Sequence, residues 1–393
     1  MQPTKTAAPT PQATPASNAT QVTALGVHLR YSFEPGEQQG GALGNPLLEM
    51  LGAVAEGGSI RHAARTLGTS YRYVWDALRR WERVLGEPLI GWAQGRRARP
   101  TAFALKLLWA ERQVRARMQP EIETLRADLA RVLIDAHDER QQLLTVRASH
   151  DLALPVLQKH VAASSELHLD LGFRGSEDAL RALNAGECQV AGFHVPPLRG
   201  AAPVFSRTLK PLLKPGVHRL IACARRLQGV MVRREHAAVV RTFPDLAAPQ
   251  LRFVNRQPGS GTRMLIDHLL LEHGIAPAAL RGYAEHCEQS HVAVALCVAS
   301  GVADAGVGVE AAALQFGLHF VPLVEENYFL ACLDANVDDP AVRCLREILA
   351  GTRWREILAT LPGYRPAADA GGLLAVEDGL PWWRRCRPHA PNP

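Results

Sequence analysis

The chain of 393 residues is 47% hydrophobic and 21% charged, an ordinary globular composition with room for two or three domains. It has no run of about 18 apolar residues, so no transmembrane helix is expected. Seven cysteines, an odd number at irregular spacing without a CxxC pair, point to reduced thiols in a cytoplasm and to no structural zinc site. The net charge of +6 is unevenly placed: Ser59–Met118 holds 13 Lys/Arg against 4 Asp/Glu, a footprint of a polyanion partner or of a solvated helical face.

Residues 1–22 are rich in Ala, Pro, Thr and Gln and lack an apolar centre, so they read as disordered and not as a signal peptide. Val27–Phe33 is a plausible strand. Asn45 caps and Pro46 starts a helix that buries Leu47, Leu48, Leu51 and Val54 and ends at Gly57-Gly58. Ser59 caps a second short helix, Ile60–Leu67. Ser70 caps a third, Tyr71–Leu85, with Val74, Leu78, Trp81 and Leu85 on one stripe. Two short helices joined by a glycine turn and followed by a basic helix make a helix-turn-helix. Pro88–Pro100 then reads as a hairpin wing carrying Arg96, Arg97 and Arg99. A structural three-helix bundle with a basic loop is the plainer alternative.

The run Gly58–Trp75, continuing to Leu85-Gly-Glu-Pro-Leu89, resembles the winged helix-turn-helix of molybdate-responsive transcription factors, relatives of the LysR-type regulators. The wing lacks the glycine-rich run usual there. The resemblance implies double-stranded DNA as partner, with Ser59, Ser70, Tyr71, Arg72, Tyr73, Arg79, Arg96, Arg97 and Arg99 at the interface. It also implies a homodimer formed through the next segment. That segment reads as a helix from Ala102 to about Arg117, a break at Pro120, and a second helix to Arg140.

From Leu143 strands and helices alternate, which implies an α/β domain. Leu143–Arg147, Leu167–Phe173 and Gln189–Phe193 are strands, and the turns after the first two carry Ser149 and Ser176. Ligands sit at the carboxyl ends of strands in open α/β sheets, so both serines project toward one place. Leu220–Cys223, Gly229–Val232, Gly317–Leu323 and Asn327–Leu333 are further strands. The central stretch is Leu251–Leu270: a strand, a Pro258-Gly259 turn, and a helix opened by Ser260-Gly261-Thr262. Unpaired N–H groups and the positive helix end make a small anion site there, to which Asn255, Arg256 and Arg263 can add charge-assisted hydrogen bonds. Arg263 equally reads as pairing with Asp267 four residues on. His150, His194 and His291 can line the cleft, although a lone histidine is more often structural.

This second part resembles a type 2 periplasmic-binding-protein fold of the kind found beside molybdenum-related regulators, carried by Ser149-His-Asp151, Gly175-Ser176, Asn255–Arg263 and Gly301–Gly308. The expected organisation is therefore multidomain: an all-α-rich winged helix-turn-helix at 23–101, linker helices at 102–142, an α/β two-lobed binding-protein-like domain at 143–366, and a flexible tail at 367–393. Neutral donors suit molybdate or tungstate, and Ser149, Ser176, Ser260, Gly261 and Thr262 offer them; Tyr328 is added by the resemblance. Asn255, Arg256 and Arg263 keep a molybdenum cofactor or another anionic metabolite open. Pro258–Thr262 is not a nucleophile elbow, no P-loop lysine follows its glycines, and Cys and His show no metal spacing. The expectation is a cytoplasmic DNA-binding regulator with no catalytic residues, no metal and no resident cofactor. A solute-binding or molybdopterin-biosynthesis accessory protein is the alternative class.

Overall fold

The computed structural model describes residues 45–93, 97–137, 142–165, 167–197 and 202–383. The expected strand at Val27–Phe33, the N-terminus 1–22, Arg96 of the wing and the end of the tail lie outside these residues. Two compact units divide the chain after Arg112.

In the first unit, α1 (Pro46–Gly57) begins where Asn45 accepts hydrogen bonds from the Leu47 and Leu48 amides at 3.0 and 3.4 Å. Ser59 accepts from the His62 amide at 3.0 Å and starts α2 (Ile60–Thr66), while Ser70 accepts from the Tyr73 amide at 3.1 Å and starts α3 (Tyr71–Leu85). Each hydroxyl satisfies an amide that the helix leaves unpaired. Leu51, Val54, Ala63, Val74 and Leu89 are fully buried and form the centre of the core. Strands β1 (Ile90–Ala93) and β2 (Arg97–Pro100) pair antiparallel, Ile90 opposite Pro100, as the expected wing. Glu82, which sequence reading did not single out, accepts from the Leu89 and Ile90 amides at 2.9 and 3.2 Å and ties the hairpin to α3.

The expected break at Pro120 is corrected: α4 (Ala102–His137) is one helix of 36 residues. A proline removes a single N–H and disturbs one turn, and the ladder on either side continues.

The second unit contains β3 (Gln142–Ala148), α5 (Ala153–Ser164), β4 (Leu167–Phe173), α6 (Ser176–Asn184), β5 (Val190–Val195), α7 (Pro203–Leu209) and β6 (His218–Val232). It continues with β7 (Phe253–Arg256), α8 (Gly261–Glu272), β8 (Cys287–Glu288), α9 (His291–Ala299), β9 (Ala305–Val309), α10 (Glu310–Gln315) and β10 (His319–Leu333). After these come α11 (Pro340–Ala350), α12 (Thr352–Ala359), β11 (Tyr364–Pro366), β12 (Leu373–Ala375) and α13 (Val376–Gly379). The strand order is β4-β3-β5-β10-β6-β9-β7-β8. Strands β3 to β5 are mutually parallel in one lobe, and β7 to β9 in the other. The long antiparallel pair β6 and β10 runs through both lobes, β10 joining β5 on one side and β6 joining β9 on the other.

Two expectations change here. Four short strands were expected where β6 and β10 stand. Arg226, Gln228 and Glu326 interrupt their apolar runs in sequence, yet they are buried and hydrogen-bonded across the pair, so both strands continue. The tail was expected to be flexible from 367. Through Trp383 it is packed instead: β12 pairs with β6, and Val376 and Leu380 are fully buried. Short apolar pieces between glycines and prolines carry too little periodicity to announce this.

Candidate functional site

The first unit presents α3 and the hairpin. Tyr71 and Tyr73 are about half exposed at 48% and 55%, and the Arg72 side chain is 91% exposed, with Asp76 at 3.6 Å. Arg79 bonds Glu82 at 2.9 Å and lies 4.7 Å over the Trp75 ring, which also stacks with Tyr71. Arg79 is thus held in place, with its side chain still half exposed. The hydroxyls of Ser59 and Ser70 accept the capping amides and each retains a proton to donate. Arg97 and Arg99 stand in β2, both exposed.

In the second unit, the point where β6 and β10 pass between the lobes is a buried polar cluster. His194 and Tyr328 are cross-strand partners on β5 and β10 with their rings stacked 4.0 Å apart. Arg226 lies opposite Glu326, and its Nε donates to Glu326 Oε2 at 3.0 Å. Gln228, two residues along the same face, donates from Nε2 to Glu326 Oε2 at 2.9 Å and to Thr262 Oγ1 at 2.8 Å. Asp151 Oδ2 accepts from Arg226 Nη1 at 2.8 Å, from Tyr364 at 3.0 Å and from His194 Nε2 at 3.2 Å. Ser176 at the start of α6 faces Gly261 at the start of α8, and His194 borders the same spot. Arg256, at the end of β7, donates Nε to the Glu288 carbonyl and Nη2 to the Gln289 carbonyl at 3.1 and 2.8 Å.

Seven atoms in this cluster are shut off from solvent without a hydrogen-bond partner: His150 Nδ1, Ser176 Oγ, Gln228 Oε1, Arg256 Nη1, His291 Nδ1, Glu326 Oε1 and Tyr328 OH. Each such group costs about 1–3 kcal/mol unless something meets it. One orphan is a common imperfection; seven around one polar cluster mark it as the candidate site for a polar ligand.

Charge gives the site its sign. Burial, and then Arg226, push the Arg256 guanidinium down to about 9, against the smaller opposing pull of Glu326 and Glu288. Burial, and then Arg256, push His150 down to about 4. Burial, followed by the same arginines, holds His291 well below the usual imidazole range. Burial alone would raise Asp151, but the His194 hydrogen bond and Arg226 outweigh it and hold the carboxyl well below its usual range. An ionised Asp151 only accepts, so His194 Nε2 carries the proton. With His194 itself lowered by burial and Arg226, its Nδ1 is bare and accepts from Ser149 Oγ at 2.9 Å.

The expected ligand residues therefore separate. Ser176, His194, Gly261, Thr262, Arg256, His150 and Tyr328 converge. Ser149 is close, with its Oγ 2.9 Å from His194 Nδ1, to which it donates when His194 carries its proton on Nε2. Three others are turned elsewhere. Asn255 donates to the Tyr283 carbonyl and accepts from the Arg256 amide. Ser260 donates to the Gln257 carbonyl and caps the Arg263 amide. Arg263 bonds Asp267 at 3.1 Å beneath the Tyr283 ring, the helix-face reading. Asp151, Arg226, Gln228 and Glu326 were missed as site residues. Alternating buried polar residues at 226, 228, 326 and 328 were the available signal.

A helix-turn-helix with a basic recognition helix, followed along the chain by a two-lobed domain with a buried polar cluster at the lobe junction, is the make-up of a DNA-binding regulator. Residues 46–105 match the family described as bacterial regulatory helix-turn-helix protein, lysR family, and residues 158–350 match the PBP superfamily domain. The chain thus carries a lysR-family helix-turn-helix and a PBP-like domain, the make-up of a DNA-binding transcriptional regulator. Among relatives, "Uncharacterized protein YvgK" of Bacillus subtilis (strain 168) is 29% identical over 222 residues, 55% of this chain and 69% of its own. A Clostridium pasteurianum protein described as "Uncharacterized protein in ferredoxin 2Fe-2S gene 5'region" is 34% identical over 102 residues, 26% of this chain and 89% of its own. Among solved structures, full-length CbnR complexed with its target DNA aligns over 77% of this chain and 97% of its own at 18% identity and a TM-score of 0.39. The oxidized form of Corynebacterium glutamicum OxyR aligns over 80% and 94% at 17% identity and a TM-score of 0.36. No helix among the described residues is long and apolar enough to cross a membrane.

Proposed function

We propose that this regulator is a cytoplasmic homodimer whose binding-protein-like domain closes on a small oxyanion and thereby changes its hold on DNA. The observation that carries the ligand class is the set of buried, unpaired donors: Arg256 Nη1 and the hydroxyls of Ser176 and Tyr328. Donors of this kind, together with the N-termini of α6 and α8, recognise an oxyanion. Molybdate and tungstate are the first candidates because of the resemblance to molybdate-responsive regulators. The regulated genes would then serve molybdenum or tungsten homeostasis or a molybdoenzyme such as a formate dehydrogenase.

On the DNA side, α3 enters the major groove with Tyr71, Arg72, Tyr73 and Arg79, and Arg97 and Arg99 of the wing hold phosphates. The exposure of these side chains supports that reading. Dimerisation is assigned to α4, where Val114 and Leu125, three turns apart on one face, are half exposed.

A second reading is favoured by the acceptors in the cluster. Gln228 Oε1 and Glu326 Oε1 suit a ligand that carries O–H or N–H groups as well as charge, such as a molybdenum cofactor or another anionic metabolite. Thermal unfolding of the full chain against molybdate, tungstate, sulfate, phosphate and molybdenum cofactor separates these. A ligand at 100 times its dissociation constant stabilises by about 2.7 kcal/mol. A shift with molybdate or tungstate supports the first reading, and a shift with cofactor alone supports the second.

A further inference from the structure

Glu326 is fully buried on β10. Its Oε2 accepts from Arg226 Nε and Gln228 Nε2 at 3.0 and 2.9 Å, while Oε1 has no partner. Gln228 Oε1 is likewise bare, and Ser149, its proton given to His194, can only accept further hydrogen bonds. Gln228, bonded to Glu326, also donates to Thr262 Oγ1 at 2.8 Å, so these acceptors border the start of α8, where Gly261 meets Ser176; Arg256 adds its charge without an ion-pair contact to Glu326. An anion held at the start of α8 therefore also meets a carboxylate oxygen. Two anionic oxygens repel at hydrogen-bond distance unless a proton lies between them.

The charge balance points the same way. Three carboxylates, Asp151, Glu326 and Glu288, stand against three guanidiniums, Arg226, Arg256 and the Arg117 that pairs with Glu288. The lining is neutral before any ligand enters, so a bare dianion would leave a buried double negative charge, which is costly.

Resting on the oxyanion reading above, we infer that the ligand is held through a proton shared between one of its oxygens and Glu326 Oε1, so that a bare dianion takes up one proton as it binds. The proton comes from solvent for molybdate or tungstate, whereas hydrogen phosphate brings its own. The charged groups around Glu326 are Arg226 from β6, Arg256 from β7 and His194 from β5; Asp151 ahead of α5, Tyr328 on β10 itself and Tyr364 on β11 surround Arg226, and Glu288 on β8, paired with Arg117, acts on Arg256. His150 after β3 and His291 at the start of α9 complete the surround through Arg226 and Arg256. Asp151 is committed to Arg226, Tyr364 and His194, and His194 Nδ1 to Ser149. The competing proton acceptors are therefore His150 and His291.

The test is calorimetric titration of the full chain with molybdate and with hydrogen phosphate between pH 6 and 8, in buffers of different ionisation enthalpy. The expected result is one proton taken up per molybdate, an affinity falling about tenfold per pH unit, and no uptake with hydrogen phosphate at pH 8. In Glu326→Gln the amide itself donates to the anion, so uptake and pH dependence disappear. His150→Gln and His291→Gln keep both, which decides the matter even if the Glu326 variant does not fold. Uptake that persists in Glu326→Gln, or vanishes in either histidine variant, overturns the inference. Saturable molybdate binding without uptake overturns it and leaves the oxyanion reading standing. No binding of molybdate, tungstate or phosphate overturns both.

Discussion

The His194 imidazole lies flat on the Tyr328 ring, with centroids 4.0 Å and planes 7° apart, both residues fully buried. The stack fixes the Tyr328 hydroxyl among the unpaired groups of the cluster. Gly192, on the same strand as His194, makes room for it, since a side chain there would collide with that hydroxyl and with Ala148. Tyr328→Phe keeps the stack and removes one buried unpaired hydroxyl. The unliganded protein should be as stable as the wild type or more so, while anion affinity falls about tenfold, the loss of one hydrogen bond. Denaturant melts with and without anion read both; unchanged affinity would take Tyr328 out of the site.

Ser176 and Ser260 make a matched pair. Ser260→Ala removes the cap of α8 and should lower stability by about 1 kcal/mol, with anion affinity nearly unchanged. Ser176→Ala removes an unpaired hydroxyl and should do the reverse. The two variants exchanging these phenotypes would reverse the assignment of cap and ligand group.

Arg72→Ala should weaken DNA binding and leave anion binding intact. If Arg72 meets a phosphate, the slope of log affinity against log salt becomes shallower by about 1. Equal loss of DNA and anion binding would contradict the division of labour between the units.

Acid should destabilise the second unit. His150, His194 and His291 all bind protons less readily when folded than when unfolded, because burial and the buried arginines disfavour their charged forms. Below the ordinary imidazole range the unfolded chain holds more protons, so stability is fully present above about pH 6.5 and falls as pH drops toward the folded value, about 4 for His150. Asp151, with its folded value depressed, adds a second loss at more acidic pH. Melting temperatures measured from pH 8 to pH 4 should decline through this window; a rise on acidification would contradict the neutral histidines.

The elements carried by local signals were legible in the sequence. Asn45, Ser59 and Ser70 announced their helices, and Val74 and Leu78 the buried stripe. The convergence of Ser176 with Gly261 followed from strand ends meeting at one edge. Three things were not legible. Whether a serine hydroxyl faces a ligand or a helix end depends on the next turn of backbone, so Ser260 and Ser176 read alike. The long strands β6 and β10 were hidden because Arg226 and Glu326, distant in sequence, look like breaks until each is seen to satisfy the other. Where Ser149 directs its proton depends on a chain of bonds reaching Asp151, which no spacing reveals.

The most direct test is calorimetric titration of molybdate, tungstate and phosphate into the full wild-type chain and into Arg256→Gln. The wild type should bind one of these anions saturably, one per chain. The variant should lose on the order of 100-fold in affinity, the cost of leaving a buried charge unpaired. Equal affinity in the two proteins, or no binding by the wild type, would contradict an oxyanion site built on Arg256.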